Sequence, residues 1–421
     1  MAPTRPRVVI IGGGFGGLSA AKALKHAPVD VVLIDRRNHH VFQPLLYQVA
    51  TAALSPGDIA SPIRWILRHQ SNVRVWLGEA TAIEPDRRVV RLSDGEVPYD
   101  HLIISAGATH AYFGHDEWRA YAPGLKTLED ALDMRRRVLL AFEQAERETD
   151  RARQRRLLTF VVIGGGPTGV ELAGSLAEIS RHALANDFRA IDPESARVIL
   201  IEGGPSVLAS YPEDLSAFAR RALEKLGVAV WTGSLVSGVE EGKVQVGAET
   251  IEAGTILWAA GVSASPLGAS LGVPLDRAGR VLIQDDLSVP GHPEISVVGD
   301  LAALRTADGQ WLPGVAQVAM QQAAHAAANI VRRVEGQPPT PFVYRNLGNL
   351  ATIGRNSAVA DMPRWRFKGY TAWLFWLFVH VFNLIGFRNR LSVMTQWAFS
   401  YMTYQRSVRL ITGDDSWRDP A

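Results

Sequence analysis

Two glycine-rich turns, each set between a β-branched run and a helix-like stretch, predict an α/β chain with two Rossmann-like dinucleotide-binding domains, one inserted in the other. A third feature, an uncharged run from Ala372 to Phe387 flanked by arginines, adds a C-terminal amphipathic, membrane-anchoring helical region. The chain has 421 residues, enough for two or three domains. Hydrophobic residues make up 47% and charged residues 20%, the balance of an ordinary globular protein.

The first turn follows the apolar run Val8 to Ile11 and reads Gly12-Gly13-Gly14-Phe15-Gly16-Gly17 before LSAAKALK. Glycine is needed at Gly12 for the tight turn, at Gly14 for backbone approach to a pyrophosphate and at Gly17 for close helix packing. The helix start then offers unpaired N–H groups to phosphate. Asp35 ends the next strand, DVVLID, where a carboxylate can accept from a ribose.

The pattern recurs at Gly164, Gly166 and Gly169 in FVVIGGGPTGVELAGSLAE. Its acid is Glu202, in RVILIEGG, and the intervening SRHALANDFRAIDPES reads as an insertion after the helix. Two cradles in one chain suggest two dinucleotides, commonly FAD on the first and NAD(P)H on the second. A carboxylate at Glu202 repels a 2′-phosphate, and the following GGPSVL holds no arginine to attract one, so NADH is expected over NADPH.

YDHLIISAGA and TILWAAGV read as the crossover strands closing the two nucleotide domains. ISVVGDLAA reads as a strand ending at Gly299-Asp300, similar to the second FAD motif of two-dinucleotide flavoproteins, where the aspartate meets the ribityl chain. The expected layout is a first FAD-binding part at 1–120, an NADH-binding domain at 121–285, a second FAD-binding part at 286–345 and the membrane-anchoring region at 346–421.

The chain has no cysteine, which excludes structural disulfides, thiolate metal sites and dithiol electron relays. Electrons must then leave a flavin directly, to a quinone, oxygen or a one-electron protein carrier. The net charge of +2 gives no support to a nucleic-acid partner. The start leaves only about six residues before the first apolar run, so no signal peptide is expected. No metal cluster is visible, and His39, His40 and His325 read as structural or solvated.

Four stretches together resemble the type II, non-proton-pumping NADH:quinone oxidoreductases: NHHVFQPLLYQVATAALSP, GGGPTGVELAGSLAE, GDLAAL and VAQVAMQQA. The resemblance covers almost the whole chain. It implies hydride transfer from NADH to FAD, then two electrons to a membrane quinone. It implies FAD contacts at Phe15, Arg36, Gln43, Ala106, Ala316 and Gln317, beside Gly12, Gly14, Gly17, Asp35 and Asp300. It implies NADH contacts at Thr168, Glu171 and Gly261, beside Gly164, Gly166, Gly169 and Glu202. Pro44, Leu45, Tyr47, Gln48, Gln317 and Gln321 are implied for the quinone, and Glu171, Gln317 and Gln321 for catalysis; His380, the only titratable group in the apolar stretch, reads as a polar group at the quinone mouth. Gln317 and Gln321, one helical turn apart, offer neutral amides to a quinone carbonyl. Glu171, in the first turn of a helix, also fits a plain dipole-capping role.

Between Met362 and Gly413 stand Arg364, Arg366, Lys368, Arg388, Arg390, Arg406 and Arg409, with no acid among them. The apolar run is short of the ~20 residues that span a bilayer and is interrupted by His380 and Asn383. Leu391, Met394, Ala398, Tyr401 and Val408 fall near helical spacing. The reading is a helix in the headgroup plane on the cytoplasmic face of the membrane, with a homodimer interface as a second use. Two other functions fit the nucleotide motifs: a soluble ferredoxin-type reductase and a nucleotide-sensing flavoprotein.

Overall fold

The computed structural model describes residues 5–306, 309–406 and 408–413. The chain divides into two compact units. The first takes Met1–His40, Ser61–Thr109 and Val262–Leu347; the second takes Val41–Ala60, His110–Gly261 and Gly348–Ala421.

The first unit is built on a six-stranded sheet in the order Ser288–Val289, His292–Val297, His101–Ile104, Arg7–Ile11, Asp30–Asp35, Val73–Leu77. All neighbours are parallel except the short edge strand at Ser288. Ile10 lies opposite Leu33 on one side and Ile103 on the other. Runs of Val and Ile are what a sheet covered on both faces requires. The first cradle helix, Phe15–Ala23, packs on the helix Ala316–Val334. A three-stranded antiparallel sheet, Ala80–Glu84 with Val89–Leu92 and Gly95–Pro98, adds Ile83, Val90 and Val97 to the core.

The second unit repeats the plan with a four-stranded parallel sheet, in the order Val228–Trp231, Arg197–Ile201, Thr159–Ile163, Thr255–Trp258. Every residue of Thr159–Ile163 is buried. Trp258 closes this core against Tyr112, with ring centroids 4.9 Å apart. Two further antiparallel sheets, Val236–Glu252 and Asn349–Gly369, belong to this unit. The foot forms two helices, Tyr370–Asn383 and Phe387–Thr403, broken at Leu384–Gly386.

The two units divide the chain differently from the four expected segments, and residues 110–120 fall in the second unit, where Tyr112 and Trp118 enter its core. Residues 262–285 join the first unit, because Leu267, Leu271 and Val281 enter its core. Residues 41–60 join the second, where Leu45, Leu46, Val49, Leu54 and Ile59 are buried. The foot is no separate body, since Trp376, Leu384 and Val393 are buried in the second unit. No helix of the described residues is long and apolar enough to cross a membrane.

Candidate functional site

In the first unit the cradle is a backbone device. Gly12 has φ of +96°, and its N–H donates to the carbonyl of Ile34 at 2.8 Å. A Cβ on Gly17 would lie 1.7 Å from the carbonyl oxygen of Gly12, so only hydrogen fits there. A Cβ on Gly14 would meet nothing within 4 Å. That open space lies at the start of the helix, where phosphate is favoured. Asp35 accepts from the N–H groups of Gly13 (2.5 Å) and Arg37 (2.7 Å). Phe15 packs edge-on against His40, whose Nδ1 is 3.1 Å from the Gly13 carbonyl. Burial lowers the His40 pKa to about 4, so the ring is neutral and that Nδ1 carries the hydrogen. Arg36 is exposed, 3.8 Å from Glu79. Ala106 follows the crossover strand and is half-buried.

Asp300 lies just past the strand His292–Val297 in the same unit. A Cβ on Gly314 would fall 3.1 Å from its carboxylate. The helix opening at Ala316 carries Gln317, whose Oε1 accepts from the N–H of Leu347 at 3.0 Å. Gln321 donates to the Arg345 carbonyl at 2.9 Å and accepts from the Arg345 N–H at 3.1 Å. The Gln321 amide, expected to meet a quinone carbonyl, is thus engaged on both its oxygen and its nitrogen by the backbone of Arg345. Gln322, passed over in the sequence, is fully buried and accepts from the Gly299 N–H at 2.8 Å. It holds the turn that presents Asp300.

The second unit repeats the cradle atom for atom. Gly164 has φ of +109° and donates to the Ile201 carbonyl at 2.7 Å. A Cβ on Gly169 would fall 1.8 Å from the carbonyl oxygen of Gly164. Gly166 and Thr168 face open space and solvent at the helix start. Glu202 accepts from the N–H groups of Gly165 (2.5 Å) and Gly204 (2.6 Å). Gly261 follows the strand Thr255–Trp258, and a Cβ there would meet Phe113 at 2.8 Å.

Glu171 is the fifth residue of the helix Pro167–Glu178, past the first turn where the sequence placed it, so a plain dipole-capping role does not account for it. Removal from water pushes its pKa up to about 8, opposed by a long hydrogen bond from the Thr352 N–H. The carboxyl group is thus largely protonated at neutral pH. Glu178, at the far end of the helix, accepts from Arg355 N–H and from Arg406 at 3.2 Å.

The segment after residue 41 forms two short helical turns, Gln43–Leu45 and Leu46–Ala50. Leu45, Tyr47 and Gln48 are buried, and Pro44 is half-buried. Burial holds the Tyr47 pKa well above the ordinary tyrosine value, with Glu171 and Glu178 adding to the shift, so its hydroxyl keeps its proton. Gln43, expected on the flavin, belongs to the second unit, where it is exposed and donates to the Lys126 carbonyl at 3.3 Å. His380 stacks on Trp376 at 4.1 Å and meets Phe42 edge-on at 6.1 Å. Its pKa is lowered to about 4 by burial, and its Nδ1 faces the Trp376 carbonyl at 2.8 Å. Nδ1 therefore holds the hydrogen, and Nε2 is an acceptor.

The foot presents an apolar stripe. Leu374, Phe378 and Phe382 on the first helix are exposed, as are Phe387, Leu391, Met394 and Met402 on the second. Arg364, Trp365 and Arg388 are exposed with them. Arg406 and Arg409 correct the count of surface cations. Arg406 is buried against Glu178 and the Thr51 carbonyl, and Arg409 bonds Asp187 and the Ala183 carbonyl.

Residues 6–323 match the pyridine nucleotide-disulphide oxidoreductase family, and residues 346–405 match the NDH2 C-terminal domain. The type II NADH:quinone oxidoreductase NdhA of Mycobacterium tuberculosis is 48% identical, over 97% of this chain and 90% of that one. The chain belongs to the type II NADH:quinone oxidoreductase family. A second enzyme of that name and organism, Ndh, is 46% identical over 97% of this chain and 91% of its own. The NDH2 structure from Plasmodium falciparum, solved in complex with NADH, shares the fold with a TM-score of 0.87 at 20% identity, covering 97% of this chain and all of that one. The family's oxidoreductase model matches a chain without cysteine, so its disulphide chemistry has no counterpart here.

Proposed function

We propose that the chain oxidises NADH and reduces a membrane quinone to quinol, without moving protons across the membrane. The carrying observation is two nucleotide cradles, each with its own carboxylate, in a chain that has no cysteine to take electrons onward. The first cradle fits FAD: an open helix start at Gly14, a backbone-only contact at Gly17, and carboxylates at Asp35 and Asp300 in the same unit. When bound, FAD supplies a carrier that accepts hydride and passes on two electrons.

The protein's own part is selection and placement. Gly166, Thr168 and the helix start receive the NADH pyrophosphate, and Glu202 accepts from the ribose hydroxyls. Glu171, largely neutral, presents a carboxyl O–H near the nicotinamide without placing a full negative charge there. Tyr47 keeps its proton and donates to a quinone carbonyl. His380, with Nε2 as an acceptor, suits a quinol hydroxyl rather than a quinone carbonyl. Gln317 offers an amide to the quinone, whereas Gln321 holds the segment at Arg345. The exposed apolar stripe, with Arg364 and Arg388, rests in the headgroup layer of the cytoplasmic face. An interface between two copies of this chain is a second use of the same region.

The test is purified full-length protein: flavin identified after release, NADH-dependent bleaching followed anaerobically, and turnover with a short-chain ubiquinone. Gln317→Leu should slow quinone reduction while bleaching by NADH stays near normal. Equal losses in both would assign Gln317 to packing. Bound flavin without quinone turnover would favour a nucleotide sensor.

A further inference from the structure

The foot helix Phe387–Thr403 meets the 46–60 segment through polar groups. Asn389 donates to the Ala60 carbonyl at 3.3 Å. Ser392 and Gln396 donate to the Asp58 carboxylate at 2.7 and 2.9 Å. Trp397 Nε1 donates to Gln48 Oε1 at 2.7 Å. Gln48 in turn donates from Nε2 to the Tyr47 hydroxyl oxygen at 3.0 Å, and both residues are buried.

This chain of bonds has a direction. An indole N–H only donates, so it fixes which end of the Gln48 amide it faces. The amide NH2 is then committed to Tyr47, whose oxygen must accept. The Tyr47 hydrogen is turned away from Gln48, and among the described residues no protein group receives it. We propose that Trp397 and Gln48 are positioning residues that hold the Tyr47 O–H as a hydrogen-bond donor to the quinone carbonyl. The helix supplying Trp397 exposes Leu391, Met394 and Met402, so the membrane-resting element itself sets the donor's orientation. This rests on the reading of Tyr47 as a quinone contact.

The experiment measures the dissociation constant of short-chain ubiquinone on the FAD-loaded, full-length protein without NADH, for Tyr47→Phe, Trp397→Phe and the double variant. Each single change should weaken binding about fivefold, the worth of one hydrogen bond. The double variant should be no weaker than Tyr47→Phe alone, because Trp397 acts only through that hydroxyl. Unchanged affinity in Trp397→Phe, or losses that multiply, would overturn the relay. No effect of Tyr47→Phe would overturn the reading of Tyr47 itself, and the relay with it. Gln48→Glu carries the same test where Trp397→Phe fails to retain FAD. It still accepts from the indole, but its carboxylate takes the Tyr47 hydrogen, so its loss should at least match that of Tyr47→Phe. Normal affinity there would sink the proposal.

Discussion

Glu202 uses both carboxylate oxygens on backbone N–H groups of its own cradle, at Gly165 and Gly204. Glu202→Gln removes the charge that repels a 2′-phosphate but sets an amide NH2 against one of those donors. Use of NADH should therefore fall, while the NADPH/NADH preference rises roughly tenfold, about 1.4 kcal/mol. Ratios of kcat/KM for the two nucleotides check this, and an unchanged ratio would mean that Glu202 does not meet the ribose. Glu171 makes a prediction in pH. Its folded pKa of about 8 lies above the ordinary value of 4.5, so folding favours the protonated form. Stability is full below the unfolded pKa and declines as pH rises from about 4.5 through about 8. Glu171→Gln removes that decline. The variant should gain in thermal stability relative to the parent at pH 8.5, and much less at pH 5.5. Parallel melting curves at both pH values would contradict the burial argument.

At the scale of elements, the two cradles separate positions that a glycine count treats alike. Gly17→Ala forces a methyl group into the Gly12 carbonyl, backbone against backbone, and should cost ~3 kcal/mol or more and most of the bound FAD. Gly14→Ala meets open space, so the protein should fold and melt normally while holding FAD more weakly. Flavin content and unfolding midpoint, measured together, separate the two effects. The foot helices also divide into faces. Phe378→Ser with Leu391→Ser removes two exposed apolar groups, each worth ~1.5–3 kcal/mol when buried. Binding to anionic vesicles should fall at least tenfold, with flavin content unchanged. High salt should release the parent only in part, since salt screens Arg364 and Arg388 but not the apolar stripe.

For the whole molecule, the foot is part of a compact unit and not an appendage. Arg406 reaches Thr51 and Glu178, Asp58 is bonded by Ser392 and Gln396, and Trp376 is buried. Deleting Gly369 to Ala421 should therefore unfold the second unit. Loss of NADH binding and a protease-sensitive second unit would be the signs. A truncated protein that still binds NADH with normal affinity would show that the foot contacts are dispensable. Arg406→Met, which keeps length but leaves the half-buried Glu178 without its cation and the Thr51 carbonyl without its donor, should destabilise by ~1–3 kcal/mol, measurable as a drop in unfolding midpoint.

The sequence by itself determined the two cradles, their acids and their crossover strands. Each is a local device: a positive-φ glycine, a helix start and a parallel strand leave their mark in consecutive residues. It also determined the amphipathic character of the foot, because helical periodicity is local too. Only the tertiary structure decided what depends on distant pairs. That Arg406 turns inward to Glu178 cannot be read from a run of arginines, since an arginine facing lipid and one facing a buried acid have the same neighbours in sequence. Gln43 and Tyr47 lie close to the first cradle in sequence, yet the burial of Leu45, Leu46 and Val49 takes them into the second unit. Gln322 reads like Gln317 and Gln321 on one alanine-rich helix, and only its burial against Gly299 separates it. The orientation of the Tyr47 hydroxyl depends on an indole N–H hundreds of positions downstream, and hydrogen-bond direction is a property of the assembled pair.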